Sequence, residues 1–291
     1  MDLQLDFYSD WIALVRAELV NLGYTLPAGI TPRDVALLYF NAVFRRIPKK
    51  PRRILKSRQF HCPGNLQAGL DWLEQKIAAG DDLNPHLSRK IRTLRYDDAL
   101  LNDWGIFHFH LGTAYLPNGL VQGTEPVLFA RVTDAEIYEL CTAPHGTWAD
   151  VNLIEILHAN WPESIMHHRL EGTLLHGTDT NTIQTLRRAN INAPVQTQDG
   201  TIYRQLGGGY ATDGTSTVVV MTVNKRVTDL RHLEKWVRNH TDLFENDLKN
   251  RGYAEPAPVR GSFVVDEGGW YVLFPEWNCR TKLRPSTARV L

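Results

Sequence analysis

The sequence predicts an α+β protein with a helical N-terminal region, a small antiparallel sheet unit and a C-terminal α/β unit. Three observations favour this class. Apolar side chains recur at helical spacing through the first hundred residues, strand-like segments begin near residue 96, and the last third combines one long helical pattern with a closing hairpin. We therefore expect domain boundaries at 1–95, 96–170 and 171–291.

The N-terminal region carries the clearest helix signals. Residues 11–22 fit one amphipathic helix, and 32–44 fit a second that Thr31 caps. Residues 65–79 fit a third helix, which ends at Gly80 because glycine readily adopts the left-handed conformation of a helix stop.

The positive charges are concentrated between the second and third helices. The whole chain has zero formal net charge, with 32 basic and 32 acidic residues, so it has no general attraction for polyanions. Within 45–58, however, the cations are Arg45, Arg46, Lys49, Lys50, Arg52, Arg53, Lys56 and Arg58, with no acid among them. Pro48 and Pro51 exclude a regular helix, so we expect an extended basic loop. Such a loop suits a phosphate backbone; alternatively, its cations pair with acids elsewhere in the chain.

A short strand carries the most distinctive chemistry. In 106–111 the side chains alternate, so that Phe107 and Phe109 face one way while His108 and His110 face the other. The two imidazoles then lie roughly 7 Å apart along an accessible face. Histidine can exchange protons near neutral pH.

Two further strands follow this one. Residues 127–132 and 136–141 are separated by only three residues, which predicts a tight antiparallel hairpin. If the three strands pair in order, His145 at the exit of the last one folds back towards His108 and His110. Metal-independent RNA cleavage needs a base, an acid and a cation on the phosphate, and these histidines with Arg131 meet that need.

The segment around this hairpin resembles the RelE-like endoribonuclease toxins. The resemblance covers roughly 104–160 and lies in a strand followed by VLFARVTDAEIYELCTAPH, a hairpin that ends in His145. It implies a sheet that presents Arg131, His145 and neighbouring groups to messenger RNA.

Two other chemistries remain open for these and nearby residues. The His-x-His pair with His145 could bind a divalent metal such as zinc or manganese, the further ligands being drawn from Asp150, Glu155 and His158. Residues 174–178, a strand ending in His-Gly, resemble the first NAD-contacting element of ADP-ribosyltransferases.

The C-terminal third offers a weaker candidate. Gly207, Gly208 and Gly209 could cradle a phosphate with their amides, or form a turn that needs positive φ. Residues 218–221 form either a strand or the start of a helix, 228–250 predict one long helix, and 261–274 predict a hairpin.

These observations favour a nucleic-acid-cleaving enzyme, an endoribonuclease of the toxin or phage-defence kind. His108, His110, His145 and Arg131 are the expected catalytic residues, and the basic loop 45–58 the expected binding segment. We expect RNA as the partner, an inhibitory protein as a second one, and no cofactor, with a divalent metal as the alternative. Three scattered cysteines and no membrane-spanning segment predict a cytoplasmic protein. The rival class is a non-catalytic regulatory module that binds nucleic acid or protein.

Overall fold

The computed structural model describes residues 1–172 and 179–283, and these form an α+β protein, as predicted. The α-helices are α1 (Phe7–Asn21), α2 (Pro32–Phe44), α3 (Gln67–Ala79), α4 (Ala99–Trp104), α5 (Asn152–Asn160), α6 (Pro162–Ile165), α7 (Thr180–Arg188), α8 (Thr217–Asn239) and α9 (Asp242–Asn250). The strands are β1 (Asp2–Leu5), β2 (Arg53–Lys56), β3 (Ile106–Phe109), β4 (Val127–Val132), β5 (Glu136–Ala143), β6 (Arg169–Leu170), β7 (Val195–Gln196), β8 (Ile202–Tyr203), β9 (Pro258–Asp266), β10 (Gly269–Phe274) and β11 (Cys279–Lys282).

The chain divides into two compact units. One unit joins residues 1–40 with 221–291, and the other is 41–220. The first unit is discontinuous because β1 pairs in parallel with β9, which brings the start of the chain to its last third. No helix in the described part of the chain combines the length and the apolar composition that crossing a membrane requires.

The first unit contains a sheet in the order β1-β9-β10-β11. The predicted hairpin is present as β9 and β10, whereas β1 and β11 were not predicted. The single helix expected over 228–250 is wrong. Helix α8 already begins at Thr217, so 218–221 is helical, and the chain leaves the helix at His240 before α9 begins. The His240 N–H bonds to the Val237 carbonyl, a tightened turn that ends α8.

The second unit is built on a mixed sheet in the order β2-β5-β4-β3. Strands β3, β4 and β5 pair antiparallel and in chain order, as predicted. Strand β2 is a correction, because Arg53–Lys56 was expected within an extended loop and instead pairs in parallel with β5. The preceding stretch, 45–52, is not helical.

Helix α3 ends at Gly80, as predicted. Gly80 adopts a φ of 78°, and a Cβ atom there would lie 2.5 Å from Pro51. Glycine at this position therefore allows both the left-handed turn and the close approach of the basic segment to α3.

Hydrophobic cores cover both faces of this sheet. On one face, side chains of the three strands pack against α3: Phe109, Leu128, Ile137, Leu70 and Leu73. On the other face the strands pack against α5: Ile106, Phe129, Leu140, Leu153 and Ile154. A sheet covered on both sides exposes polar groups only at its ends and edges, and this determines which histidines water can reach.

Candidate active site

Three histidine rings meet at one end of the sheet. The ring centroids of His108 and His110 are 6.1 Å apart, those of His108 and His145 are 6.2 Å apart, and those of His110 and His145 are 5.2 Å apart. Strand β5 ends at Ala143, whose partner across the sheet is Val127, so the chain leaves β5 close to the end of β3. The structure thus brings together the three histidines that the sequence singled out.

His145 forms a pair with Glu125. The main-chain N–H of His145 donates to Glu125 Oε1 at 2.7 Å, and its ring Nδ1 contacts Oε2 of the same carboxylate. The two side chains are 40% and 55% exposed. The hydrogen bond from His145 holds the pKa of Glu125 below its usual value, so the carboxylate is ionised at neutral pH. A carboxylate on Nδ1 orients the imidazole and leaves Nε2 to exchange a proton.

His110 is half-buried beside this pair. The Thr124 N–H donates to Nδ1 of His110 at 3.0 Å, so in the neutral ring the proton resides on Nε2. Burial, reinforced by His108 and His145, lowers the pKa of His110 to about 4. His110 is therefore a neutral hydrogen-bond donor at pH 7 rather than a proton exchanger.

His108 is buried, which corrects the expectation of two imidazoles on an accessible face. It is 9% exposed, and its ring lies 4.6 Å from that of Trp148. Burial lowers its pKa to about 4, with a smaller effect from His145. The reason is that the core around α5 covers the face on which His108 lies. Its role is to pack behind the other two rings.

Arg131 lies further along the same sheet. It pairs with Ile106 and Tyr138, whereas His108 pairs with Phe129. Burial lowers the pKa of His168, and the charges of His167 and Arg131 add to this effect, so Arg131 lies near His168. Burial lowers the pKa of Arg131 itself, and its Nη1 has no hydrogen-bond partner. This placement does not support Arg131 as the cation that contacts a phosphate held by His145.

Two members of the basic loop are structural, a second correction. Arg45 is 4% exposed and its guanidinium donates to the carbonyls of Asn41, Lys90 and Thr93. Arg52 is 6% exposed and donates to the carbonyls of Thr133, Pro48 and Lys50. Neither guanidinium faces solvent, so neither can contribute to an exposed phosphate-binding surface.

Most of the other loop cations have acidic or carbonyl partners. Lys50 pairs with Asp134, Arg53 with Glu136, and Lys56 with Glu74. Arg46 donates to the Ala42 carbonyl at 2.7 Å. Lys49 and Arg58 are exposed. These contacts agree with the predicted alternative, in which the cations of the loop 45–58 pair with acids elsewhere in the chain. They do not form an open site for a polyanion.

Sequence reasoning missed two features of this region. Glu125 and Thr124 precede β4 in a loop with no recognisable motif. The second feature is a group of exposed cations just before α4: Arg89, Lys90, Arg92 and Arg95. This cluster could have been found from the sequence, because four cations lie within seven residues with no acid among them. The higher density of cations at 45–58 drew attention away from it.

The competing chemistries receive little support from the structure. Within 1–172 and 179–283, no group of three or more His, Cys, Asp or Glu residues is arranged to hold a metal ion. Two of the proposed additional ligands have partners of their own. Glu155 accepts the Gln198 N–H, and His158 bonds to Tyr203 and Asp199.

The glycine segment is not a phosphate cradle. The N–H groups of Gly207 and Gly209 donate to the carbonyls of Asp103 and Asn102, both at 2.8 Å. Gly208 and Gly209 have φ values of 94° and 82°, as the turn alternative requires. The His-Gly element at 174–178 lies outside the described residues.

No protein-family model, no curated protein and no solved structure matches this chain. The resemblance of 104–160 to RelE-like toxins therefore stays a prediction, and the residues themselves carry the functional argument.

Burial of His108 predicts that acid destabilises the protein. The folded pKa of about 4 lies below the ordinary 6.5, so the unfolded chain takes up a proton first as the pH falls. The stability that neutral His108 contributes is fully present above about pH 6.5. As the pH falls towards 4, roughly 3 kcal/mol of it is lost. The free energy of unfolding of His108→Phe, measured with urea, should therefore fall less than that of wild type as the pH drops over this range. The exposed His232→Phe is the control, and parallel curves for wild type and His108→Phe would contradict the prediction.

Proposed function

We propose that this protein is a metal-independent endoribonuclease whose proton-exchanging residue is His145. The observation that carries the proposal is the Glu125–His145 pair at the solvent-exposed end of the sheet, with His110 5.2 Å away between ring centroids. An imidazole held by a carboxylate on one nitrogen and accessible at the other is the arrangement that general base catalysis requires.

The reaction this arrangement suits is transesterification within the RNA chain. The 2′-oxygen attacks the adjacent phosphorus as its proton passes to Nε2 of His145. The bond between phosphorus and the 5′-oxygen breaks, which gives a 2′,3′-cyclic phosphate and a 5′-hydroxyl. Because His145 is 40% exposed, solvent water can carry the proton back to the 5′-oxygen. His110 donates from Nε2 to a non-bridging phosphate oxygen as charge develops there.

The biological setting forms part of the same proposal. A cytoplasmic enzyme of the toxin or phage-defence kind fits a chain whose Cys62, Cys141 and Cys279 are all free thiols. Such an enzyme requires restraint in its own cell, and an inhibitory protein that covers His145 would supply it.

Cleavage of single-stranded RNA tests the proposal. Wild type should produce 2′,3′-cyclic phosphate ends and be unaffected by EDTA. His145→Ala should lower the rate by about 10²- to 10³-fold, since a positioned acid–base group contributes that much. Glu125→Gln keeps the shape but can stabilise the wrong tautomer of His145, so we expect a loss comparable with that of His145→Ala, about 10²- to 10³-fold.

The control is His232→Ala, an exposed histidine on α8, which should cleave at the wild-type rate. Thermal unfolding of each variant checks that the fold is retained. Cleavage that EDTA abolishes would instead indicate a metal enzyme. RNA that is bound but left intact by wild type would favour the non-catalytic regulatory module.

A further inference from the structure

We infer that Arg131 and His168 form a binding site for a phosphate group, taken either as free phosphate or as a phosphate monoester. We call these two residues, together with His167 and Arg204, the cationic cluster. Strand β4 begins beside the candidate active site and ends just beyond Arg131, so the cationic cluster lies away from His145. The inference therefore does not rest on the proposed function.

The charge of Arg131 has no counter-charge in the described part of the chain. Its side chain is half-buried, and Nη1 is buried without a hydrogen-bond partner. Among the described residues, no ion pair and no cation–π contact involves its guanidinium. Burial lowers the pKa of Arg131, and the group that opposes this effect is Tyr138, not a carboxylate.

The rest of the chain cannot supply an acidic side chain to Arg131 either. Residues 173–178 and 284–291, which lie outside the described residues, contain no aspartate or glutamate. Burying a guanidinium without a partner is costly, and a buried polar atom that lacks a hydrogen bond in a folded protein calls for an explanation. An anion that binds from outside the chain supplies one.

His168 offers a second unused polar atom near Arg131. The residue is 9% exposed, and its Nδ1 has no hydrogen-bond partner. Burial lowers the pKa of His168 to about 4, and the positive charges of His167, Arg131 and Arg204 contribute to this lowering. An anion bound between His168 and Arg131 reverses part of the effect, because a negative charge favours the protonated ring. The protonated ring donates from Nδ1 to the anion.

Packing and a main-chain hydrogen bond hold the two side chains in place before a ligand arrives. Arg131 stands between Ile106 and Tyr138 across the sheet. These two partners belong to the core that also packs α6, the helix directly before the turn that contains His168. The Arg204 N–H donates to the His168 carbonyl at 2.9 Å. A site that is ordered in advance loses less conformational entropy on binding.

The charges of the cationic cluster favour a phosphate group over a carboxylate. Arg204 and His167 are exposed, and Nη2 of Arg204 lies 3.5 Å from the His167 carbonyl, so both stay beside the buried pair. A planar guanidinium donates two parallel hydrogen bonds to phosphate oxygens. Two guanidinium groups and two imidazoles match a dianion better than the single charge of a carboxylate. Free phosphate and a monoester carry that charge at neutral pH, whereas a phosphodiester carries one charge.

Calorimetric titration with inorganic phosphate at pH 7, in a buffer without other oxyanions, tests the site. Wild type should bind phosphate saturably. Arg131→Met should bind it at least about tenfold more weakly, the effect of losing one charge-assisted hydrogen bond. Arg131→Lys, which keeps the charge without the planar fork, should have intermediate affinity. The control is Arg231→Met, which changes an exposed arginine on α8 and should bind like wild type.

Thermal unfolding distinguishes a binding role of Arg131 from a structural one. Without phosphate, Arg131→Met should unfold at a higher temperature than wild type, because it removes a buried charge that lacks a partner. Phosphate at about one hundred times its dissociation constant should raise the Tm of wild type by about 5–10 °C and leave Arg131→Met unchanged. Equal shifts in both proteins would overturn the inference, as would a wild type that binds no phosphate.

Further ligands and one variant identify the anion and its place. Acetate that binds as tightly as phosphate would overturn the assignment to a phosphate group. Adenosine 5′-monophosphate that binds more tightly than phosphate would identify a nucleotide monoester as the ligand, and weaker binding would identify free phosphate. His145→Ala should keep the wild-type phosphate affinity. Loss of binding in that variant would place the anion at the candidate active site and overturn the inference, whether or not the protein cleaves RNA.

Discussion

Replacing Arg187 with alanine should lower the free energy of unfolding by about 3–5 kcal/mol, the usual cost of breaking a buried ion pair. Arg187 Nε donates to Asp103 Oδ2 at 2.6 Å, and the two side chains are 6% and 5% exposed. The guanidinium also lies 4.0 Å from the Trp104 ring centroid. Without it, the carboxylate of Asp103 stays buried and uncompensated. Burial already raises the pKa of Asp103, which shows how costly its charge is there.

Urea unfolding at neutral pH measures this effect, and a double variant identifies its cause. Asp103→Leu combined with Arg187→Met removes both charges and keeps apolar volume. It should recover most of the loss, because the cost arises from one unpaired charge and not from missing packing. Equal destabilisation in the single and double variants would show that the ring contact with Trp104, not the ion pair, stabilises this region.

The same side chain connects the core to the candidate active site. Arg187 also donates to the Trp148 carbonyl, and the Trp148 ring lies 4.6 Å from His108 and 5.6 Å from His145 between centroids. Arg187 therefore positions the segment that follows β5. The sequence alone could not reveal this link, because Arg187 and Trp148 are far apart in the chain and neither lies in a recognisable motif.

Local signals were enough to predict some elements correctly. Helix α2 has Thr31 before it and Pro32 at its first position, and α3 has Gly80 directly after its last residue. The hairpin of β4 and β5 follows from two β-rich segments and a short turn. Each of these signals lies within a few residues of the element it specifies, so no tertiary information was needed.

The elements that were missed depend on pairing with distant segments. Strand β2 has four residues, Arg53–Lys56, next to prolines and among charges, and it exists because β5 offers a parallel partner. Strand β1 likewise depends on β9. Alternation in β3 was detectable, but the covering of its histidine face by α5 was not. Helix α5, which comes later in the chain, buries His108. Of the two imidazoles predicted to be accessible, only that of His110 is partly exposed.

Glu125 could not be found from the sequence, because its position opposite His145 depends on a register shift within the hairpin. It lies two residues before Val127, and His145 lies two residues after Ala143, the partner of Val127. Counting outward from this pair therefore places the carboxylate and the imidazole opposite each other. The count works only with the irregularity between Phe129 and Ala130, which shifts the register by one residue and gave no sequence signal.

Glu139 is a buried carboxyl group in the sheet β2-β5-β4-β3. It lies on β5 opposite Lys56, it is 0% exposed, and neither carboxyl oxygen has a hydrogen-bond partner. Glu74 on α3 adds negative charge nearby, while Lys56 is held by Glu74 at 2.7 Å. Burial, reinforced by Glu74 and opposed by Lys56, raises the pKa of Glu139 to about 8, so the folded protein keeps this carboxyl protonated at neutral pH.

Glu139→Gln should therefore stabilise the protein at alkaline pH and leave it almost unchanged in acid. The folded pKa lies above the ordinary 4.5, so stability is fully present below about pH 4.5 and is lost as the pH rises through 8, because the unfolded chain ionises first. Glutamine has a similar shape and cannot ionise. We expect equal stability within about 1 kcal/mol near pH 5, and a gain of about 3–5 kcal/mol near pH 9. Urea unfolding at both pH values measures the difference, with the exposed Glu163→Gln as control. An equal loss of stability at both pH values would mean that Glu139 is already ionised in the fold, with Lys56 as its partner.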